Sequence, residues 1–257
     1  AARKAGHAGT LDPIATGILL VCLNEATKIT RFLADADKEY IAMMKLGERT
    51  DTLDSEGKII YKAPHFSVDK NLIEPVLERF RGNIQQVPPM YSAIKVSGKP
   101  LYMLARKGIE IERQHRSVNI YELDMIGFVP PFLEIRVLCS KGTYIRTLCD
   151  DIGTALGIGA HVVELKRTKI GDFMLKDSAD LDELPNKEKS VCSIDASLSH
   201  LKDVILSSSD FIRVANGAMI TSENLPELPA DSYLRLKNPD GKLFAIGKST
   251  GSGIKIE

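Results

Sequence analysis

The stretch from Ser117 to Gly171 limits what this chain can fold into more than any other. Within it, Leu133, Ile135 and Val137 alternate with Glu134 and Arg136. A period of two turns successive side chains to opposite faces of an extended segment, so one face packs and the other meets water. Ser117 to Phe128 and Phe132 to Cys139 accordingly read as strands around a turn at Pro130-Pro131. The period then changes. Ile145, Leu148, Cys149, Ile152 and Leu156 fall on one face of a helix that Thr143 opens and Gly157 ends. His161 to Gly171 reads as a further strand, with Lys166, Arg167 and Lys169 directed to its polar side.

Upstream, Ile18 to Leu23 is a short apolar run, either a buried strand or the start of a helix. Glu25 to Leu33 reads as a short helix, and Lys38 to Gly47 as a strand that stops at the glycine. Arg49 to Gly57 is polar and turn-rich, a surface loop. Asp69 to Phe80 reads as an amphipathic helix capped by Ser67 or Asp69, with Leu72, Val76, Leu77 and Phe80 on one face. Val87 to Val96 is extended and then strand-like, Ser97-Gly98 is a turn, and Pro100 to Lys107 a short helix. Asp177 to Ser199 reads as a short helix plus linker. Beyond Leu206, Phe211 to Val214, Tyr233 to Leu236 and Leu243 to Gly247 read as strands, with turns at Asn216-Gly217 and Asp240-Gly241. Asn-Gly and Asp-Gly between apolar runs signal tight turns, so the end of the chain reads as a compact β-module of roughly fifty residues.

A length of 257 residues suits one large domain, or a domain plus a small module, and 44% hydrophobic residues allow a sizeable core. No apolar run reaches the length of a membrane span. Arg3 and Lys4 lead into glycines and a histidine rather than an apolar run, so no secretory signal is expected. Cys22, Cys139, Cys149 and Cys192 are scattered, which points to reduced thiols in a cytoplasmic protein and to no metal site. No Walker loop or GxGxxG follows a strand, so no nucleotide cofactor is expected. The formal charge is zero, which argues against indiscriminate polyanion binding and makes the distribution of charge decisive. The most basic part holds Lys95, Lys99, Arg106, Lys107, Arg113 and Arg116 against Glu110 and Glu112, with Tyr91 and Tyr102 nearby. Such a stretch is either a solvated charged face or a set of RNA phosphate contacts with aromatics for stacking.

One carboxylate stands in the most irregular stretch, Gly-His-Ala-Gly-Thr-Leu-Asp-Pro-Ile-Ala-Thr-Gly, Gly6 to Gly17. Glycine reaches backbone conformations closed to other residues and admits a close-lying ligand, and Pro13 keeps Asp12 out of helical dihedrals. Spacing alone leaves two readings: a tight loop presenting Asp12, or a turn whose aspartate bonds its own backbone.

His7, Gly9, Thr10, Leu11, Asp12, Pro13, Ala15, Thr16 and Gly17, followed by Glu25-Ala26-Thr27-Lys28, resemble the catalytic motif of the TruB-type tRNA pseudouridine synthases. Four further stretches match in order. They are Tyr40 within Lys38-Glu39-Tyr40; Val87 to Lys95 with Leu101-Tyr102; Lys141 to Leu148; and Leu165-Lys166-Arg167-Thr168. The resemblance covers nearly the whole chain, although the C-terminal part resembles a PUA-type RNA-binding domain less specifically and could be a small barrel with only a packing role. The family usually carries a preceding strand with a Lys-Pro-x-Gly-x-(Thr/Ser) motif; the sequence begins beyond it, and omission or disorder of that strand is the expectation.

The resemblance implies an α+β, pseudouridine-synthase-like fold: a mixed, largely antiparallel sheet flanked by helices over residues 1–200, with an RNA-binding insertion at about 88–116, and a PUA-like β-module over 206–257. It implies isomerisation of uridine to pseudouridine in the T-loop of tRNA, at position 55 of the usual tRNA count. Nothing is gained or lost in that reaction, so neither cofactor nor metal is expected. Asp12 would act on the flipped nucleotide, Arg146 would order Asp12, Tyr40 would stack on the uracil and Leu165 would pack against it. His7 would fill the gap left by the flipped base. Lys38, Tyr91, Lys95, Lys99, Tyr102, Arg106, Lys107, Arg113, Lys166 and Arg167 would contact RNA. The chain would act on the tRNA T-arm as a monomer, with no protein partner and no membrane. Two alternatives stand beside this one. The RNA-guided relative of H/ACA particles is disfavoured by the Val87 to Lys107 insertion and by Ala15-Thr16-Gly17, and a non-catalytic tRNA-binding folding factor is disfavoured by the full set of candidate residues.

Overall fold

A computed structural model describes residues 2–96, 98–186, 191–221, 229–250 and 253–257. Contacts divide the chain into two units, Ala1–Ser178 and Ala179–Glu257. In the first, the strands are β1 (Ala5–His7), β2 (Ala15–Gly17), β3 (Val21–Leu23), β4 (Lys38–Leu46), β5 (Glu48–Thr50), β6 (Ile59–Lys62), β7 (Gly82–Gln86), β8 (Lys95–Val96), β9 (Lys99–Pro100), β10 (Arg116–Val129), β11 (Phe132–Cys139), β12 (Ala160–Ile170) and β13 (Phe173–Met174). The helices are α1 (Thr30–Ala34), α2 (Lys70–Glu78), α3 (Leu101–Ala105) and α4 (Ile145–Ala155).

Seven strands form the main sheet in the order β13-β12-β4-β11-β10-β7, with β2 added parallel to β12 and every other pair antiparallel. The alternation read from the sequence is realised: Leu133, Ile135 and Val137 are fully buried. On the opposite face Arg136 pairs with Glu39, Glu122 and Asp124 across three strands. Ala42, Met44 and Leu46 of β4 continue the apolar face, and it packs under Ile73 and Leu77 of α2 and under Ile145, Leu148, Cys149 and Ile152 of α4. Leu148 is wholly enclosed. Leu148→Ala should therefore lower unfolding stability by about 2–5 kcal/mol in denaturant titrations, since deletion leaves a cavity in rigid surroundings; a loss below about 1 kcal/mol would show that α4 does not anchor this core.

Several details differ from the expectations. Asp69 is the cap of α2, its carboxylate accepting from Asn71 N at 2.9 Å, but Leu72 lies exposed and the inward residues are Ile73 and Leu77. The 18–23 run becomes the edge strand β3, paired with β1, with Cys22 inward and Val21 and Leu23 exposed. Residues 24–34 split into a 3-10 turn, Asn24–Ile29, and the short α1. The 49–57 stretch is not simply a surface loop: it opens within β5, and Thr50 and Asp54 are buried. The expected Ser97-Gly98 turn involves Ser97, which lies outside the described residues.

The second unit contains α5 (Ile194–Ser197), β14 (Asp203–Ile205), α6 (Ser208–Ala215), β15 (Tyr233–Lys237), β16 (Leu243–Ser249) and β17 (Ile254–Ile256). Its sheet runs β14-β15-β16-β17, with β14 parallel to β15. Asp240-Gly241 joins β15 to β16 as expected. Phe211 to Val214, however, is helical rather than extended. The Ser207 hydroxyl caps α6 by accepting from Asp210 N at 3.1 Å, and Asn216-Gly217 ends that helix instead of turning a hairpin. A four-residue segment does not reveal its own period, and here the flanking cap decided. Among the described residues, no helix is long and apolar enough to cross a membrane.

Candidate active site

The Gly6 to Gly17 stretch is held at both ends. Gly6 pairs with Cys22 between β1 and β3, and Ala15, Thr16 and Gly17 lie beside Leu165, Lys166 and Arg167 of β12. Between these anchors the loop presents Asp12, whose side chain is 34% exposed and so open to a ligand. Gly17 has φ +102°, and a Cβ there would stand 2.1 Å from the carbonyl oxygen of Arg167. Gly17→Ala should cost about 1–3 kcal/mol of backbone strain and pull β2 off β12, lowering both the melting temperature and the activity; an unchanged melting temperature would contradict this account.

Arg146 meets Asp12 from the first turn of α4. Its Nε donates to Oδ2 at 2.8 Å and its Nη2 to Oδ1 at 3.2 Å, a bidentate pair. The other donors are used as well: Nη1 bonds Thr52 O at 2.9 Å and Asp54 Oδ2 at 3.1 Å, and Nη2 bonds Tyr91 O at 2.8 Å. A buried guanidinium requires this full satisfaction. Arg146 is only 3% exposed, so it is not a solvated helix arginine. The turn before α4 is fixed by Gln86, whose side chain accepts from Tyr144 N at 3.0 Å and donates to Tyr144 O at 3.3 Å.

Asp54 is the residue that sequence reasoning missed. It is buried, and besides Arg146 its carboxylate accepts from the Thr52 hydroxyl and from Glu56 N. Its loop is stitched to the sheet by Val162 N donating to Leu53 O at 3.1 Å, with Leu53 in the left-handed region at φ 64°. A non-glycine residue rarely sits there unless its surroundings enforce it.

Tyr40 projects from β4, directly opposite Val137 on β11 and Arg167 on β12. Burial pushes the Tyr40 phenol up, and the adjacent Arg167 guanidinium acts against that rise. Leu165 is buried on β12 among the core side chains, and His7 is exposed at the end of β1. Asp12 and Arg146 are thus joined directly from a loop and a helix, while Tyr40 and Leu165 of β4 and β12 belong to one packed cluster.

The expected RNA contacts divide. Lys95, Lys99, Tyr102, Arg106, Lys107 and Lys166 are exposed, with the Arg106 guanidinium 5.5 Å from the centre of the Tyr102 ring. Tyr91 is half-buried and supplies its carbonyl to Arg146. Arg113 is tied inward, to Pro88 O at 3.1 Å and to Glu110 at 3.2 Å. Lys38 and Arg167 do not face outward at all. Lys38 is buried and donates to the carbonyls of Ala34 and Ala36 at the end of α1, where burial, reinforced by Arg167, pushes its ammonium down. Arg167 is 1% exposed and donates to two carbonyls of the Asp12 loop. Among the described residues, no cluster of three or more His, Cys, Asp or Glu could hold a metal ion.

Comparison with known proteins places the chain in a family. Residues 1–145 match the model of the TruB family pseudouridylate synthase (N terminal domain), and residues 146–210 match that of the tRNA pseudouridylate synthase B C-terminal domain. The tRNA pseudouridine synthase B of Clostridium tetani is 41% identical over 257 residues, covering 99% of this chain and 89% of that protein. The protein of the same name from Pseudomonas paraeruginosa is 42% identical over 261 residues, covering 98% and 84%. Among solved structures, a Cbf5-Nop10-Gar1 complex contains a chain with a TM-score of 0.73 and 27% identity, covering 100% of this chain and 76% of that one. An archaeal box H/ACA sRNP Nop10-Cbf5 complex gives the same TM-score and identity. The two family models together span residues 1–210, most of the chain, and on this ground the chain belongs to the TruB family of pseudouridylate synthases.

Proposed function

We propose that this protein isomerises uridine to pseudouridine in tRNA, at the T-loop uridine, and that Asp12 is the carboxylate that acts on the nucleotide. The observation that carries the reading is the bidentate Arg146–Asp12 pair at the foot of an accessible loop. Two charge-assisted bonds hold the carboxylate in one orientation at a site that a nucleotide can reach. In the reaction the N1–C1′ bond breaks, the uracil turns, and C5 bonds to C1′ in its place. The C5 proton leaves and N1 takes one up, so atoms balance without a co-reactant.

The target base leaves its stack to reach Asp12, at a cost of about a few kcal/mol. Tyr40 stacks on the extruded uracil, Leu165 forms the apolar wall of the pocket, and His7 occupies the vacated space. Lys95, Lys99, Tyr102, Arg106 and Lys107 form an exposed basic and aromatic surface suited to an RNA backbone. In this reading the chain acts as a monomer in the cytoplasm, with no guide RNA. The test is incubation of the purified chain with bare T-arm RNA, followed by detection of pseudouridine. Conversion without added guide supports the reading; conversion only with a guide RNA favours the H/ACA-type alternative; binding without conversion under any condition leaves a tRNA-binding factor.

A further inference from the structure

Arg167 carries a buried positive charge that the reaction scheme above leaves unused. It has no carboxylate within ion-pairing distance among the described residues, although burying a guanidinium without a counter-charge is costly. What it has instead is two backbone carbonyls on either side of the catalytic carboxylate. Its Nε donates to Ile18 O at 2.9 Å and its Nη2 to Gly9 O at 3.1 Å. Its own carbonyl oxygen accepts from Ile18 N at 2.9 Å. Three bonds from one residue therefore close the arms of the loop that presents Asp12. The same residue stands opposite Tyr40 in the β4–β12 register and opposite Gly17 in the β2–β12 register.

The geometry points to Arg167 as the positioning residue of the Asp12 loop, clamping Gly9 and Ile18 so that the carboxylate between them stays aligned with Arg146 and Tyr40, and making no contact with RNA. This rests on the proposed synthase reaction for its catalytic consequence, but not for the clamp itself. The clamp has a reason to be a guanidinium. A planar fork with donors at fixed separation satisfies two divergent carbonyls at once, whereas an ammonium is a single point. Tyr40 lies against the same cation, and Arg167 opposes the effect of burial on its phenol, so one residue touches both sides of the pocket.

The experiment compares wild type, Arg167→Lys and Arg167→Met by two readouts. The first is hydrogen exchange of the loop amides Ala8, Ala15 and Ile18, which tests the clamp whether or not the wild type converts uridine. Faster exchange there in Arg167→Met, with β10 and β11 unchanged, is expected; unaltered exchange overturns the proposal. The second is steady-state conversion of T-arm RNA. Misplacement of a reacting group by about 1 Å costs on the order of 10²-fold, so Arg167→Met should lose about 10²-fold in kcat with KM unchanged, and Arg167→Lys should recover part of that loss. A raised KM together with a shallower dependence of RNA affinity on salt would mark Arg167 as a phosphate contact and overturn the proposal. If Arg167→Met does not fold, Arg167→Lys decides: wild-type kcat and wild-type exchange together overturn it. A wild type that converts no RNA refutes the synthase reading alone, and the exchange result still stands for the clamp.

Discussion

Asp12→Asn is expected to lower pseudouridine formation by about 10⁴-fold or more, the scale seen when a group at the centre of a catalytic unit is removed. The substitution keeps the shape of the side chain and removes its charge. Arg146 then faces an amide in place of a carboxylate, loses one of its two charge-assisted bonds, and keeps those to Asp54, Thr52 and Tyr91. The guanidinium therefore keeps four of its five bonds and its carboxylate partner Asp54, and the fold should survive with a melting temperature close to that of the wild type. RNA affinity should persist, because the exposed basic surface on the insertion is untouched. Single-turnover conversion and a gel-shift titration measure both. A variant that retains more than about a tenth of the wild-type rate would remove Asp12 from the chemistry.

Asp54→Ala comes next, with a rate loss of roughly 10³-fold and a stability loss of about 3–5 kcal/mol, the range for removing one partner of a buried pair. Alanine leaves Arg146 Nη1 with only Thr52 O, leaves the Thr52 hydroxyl with only the residue-54 carbonyl at 3.4 Å, and strands the Glu56 N that had bonded the carboxylate. The loop carrying Leu53 at positive φ then keeps its backbone bond from Val162 N but loses the carboxylate bonds beside it. Asp54→Asn separates the two effects. It should retain most of the stability while still weakening the hold on Arg146, so its rate loss should exceed its stability loss. Wild-type turnover in Asp54→Ala would make this residue a bystander to the site.

Asp54 was not legible in the sequence because buried polar residues in a turn-rich stretch look like a surface loop; only the fold reveals what they bond. Arg167 and Lys38 are different, for their signal was present. Arg167 shares the parity of Leu165 along β12, and Lys38 shares that of Tyr40, Ala42 and Met44 along β4, so a period-two reading places both inward. Their charge outweighed their position. The β10–β11 hairpin and α4 were legible for the opposite reason, since there charge and period agree over many residues. In α2 the apolar residues overfill one face, and choosing between Leu72 and Ile73 needed the sheet beneath them. Asp12, Tyr40 and Arg146 were named from the resemblance of their motifs, and periodicity alone would not have brought them together.

The contacts that assemble the site are among the most distant along the chain. Asp12 and Arg146 are 134 residues apart, Arg167 and Ile18 are 149 apart, and Arg167 and Gly9 are 158 apart. Contacts of long sequence separation carry a loop-closure cost that local ones avoid, and they form late. The β10–β11 hairpin and α4 can therefore take shape before the Asp12 loop has anything to lean on. A ribosome-bound chain carries Asp12 well before β12 is made, but cannot fix its loop until β12 has emerged and docked. Turnover in this protein thus doubles as a report on the completion of folding.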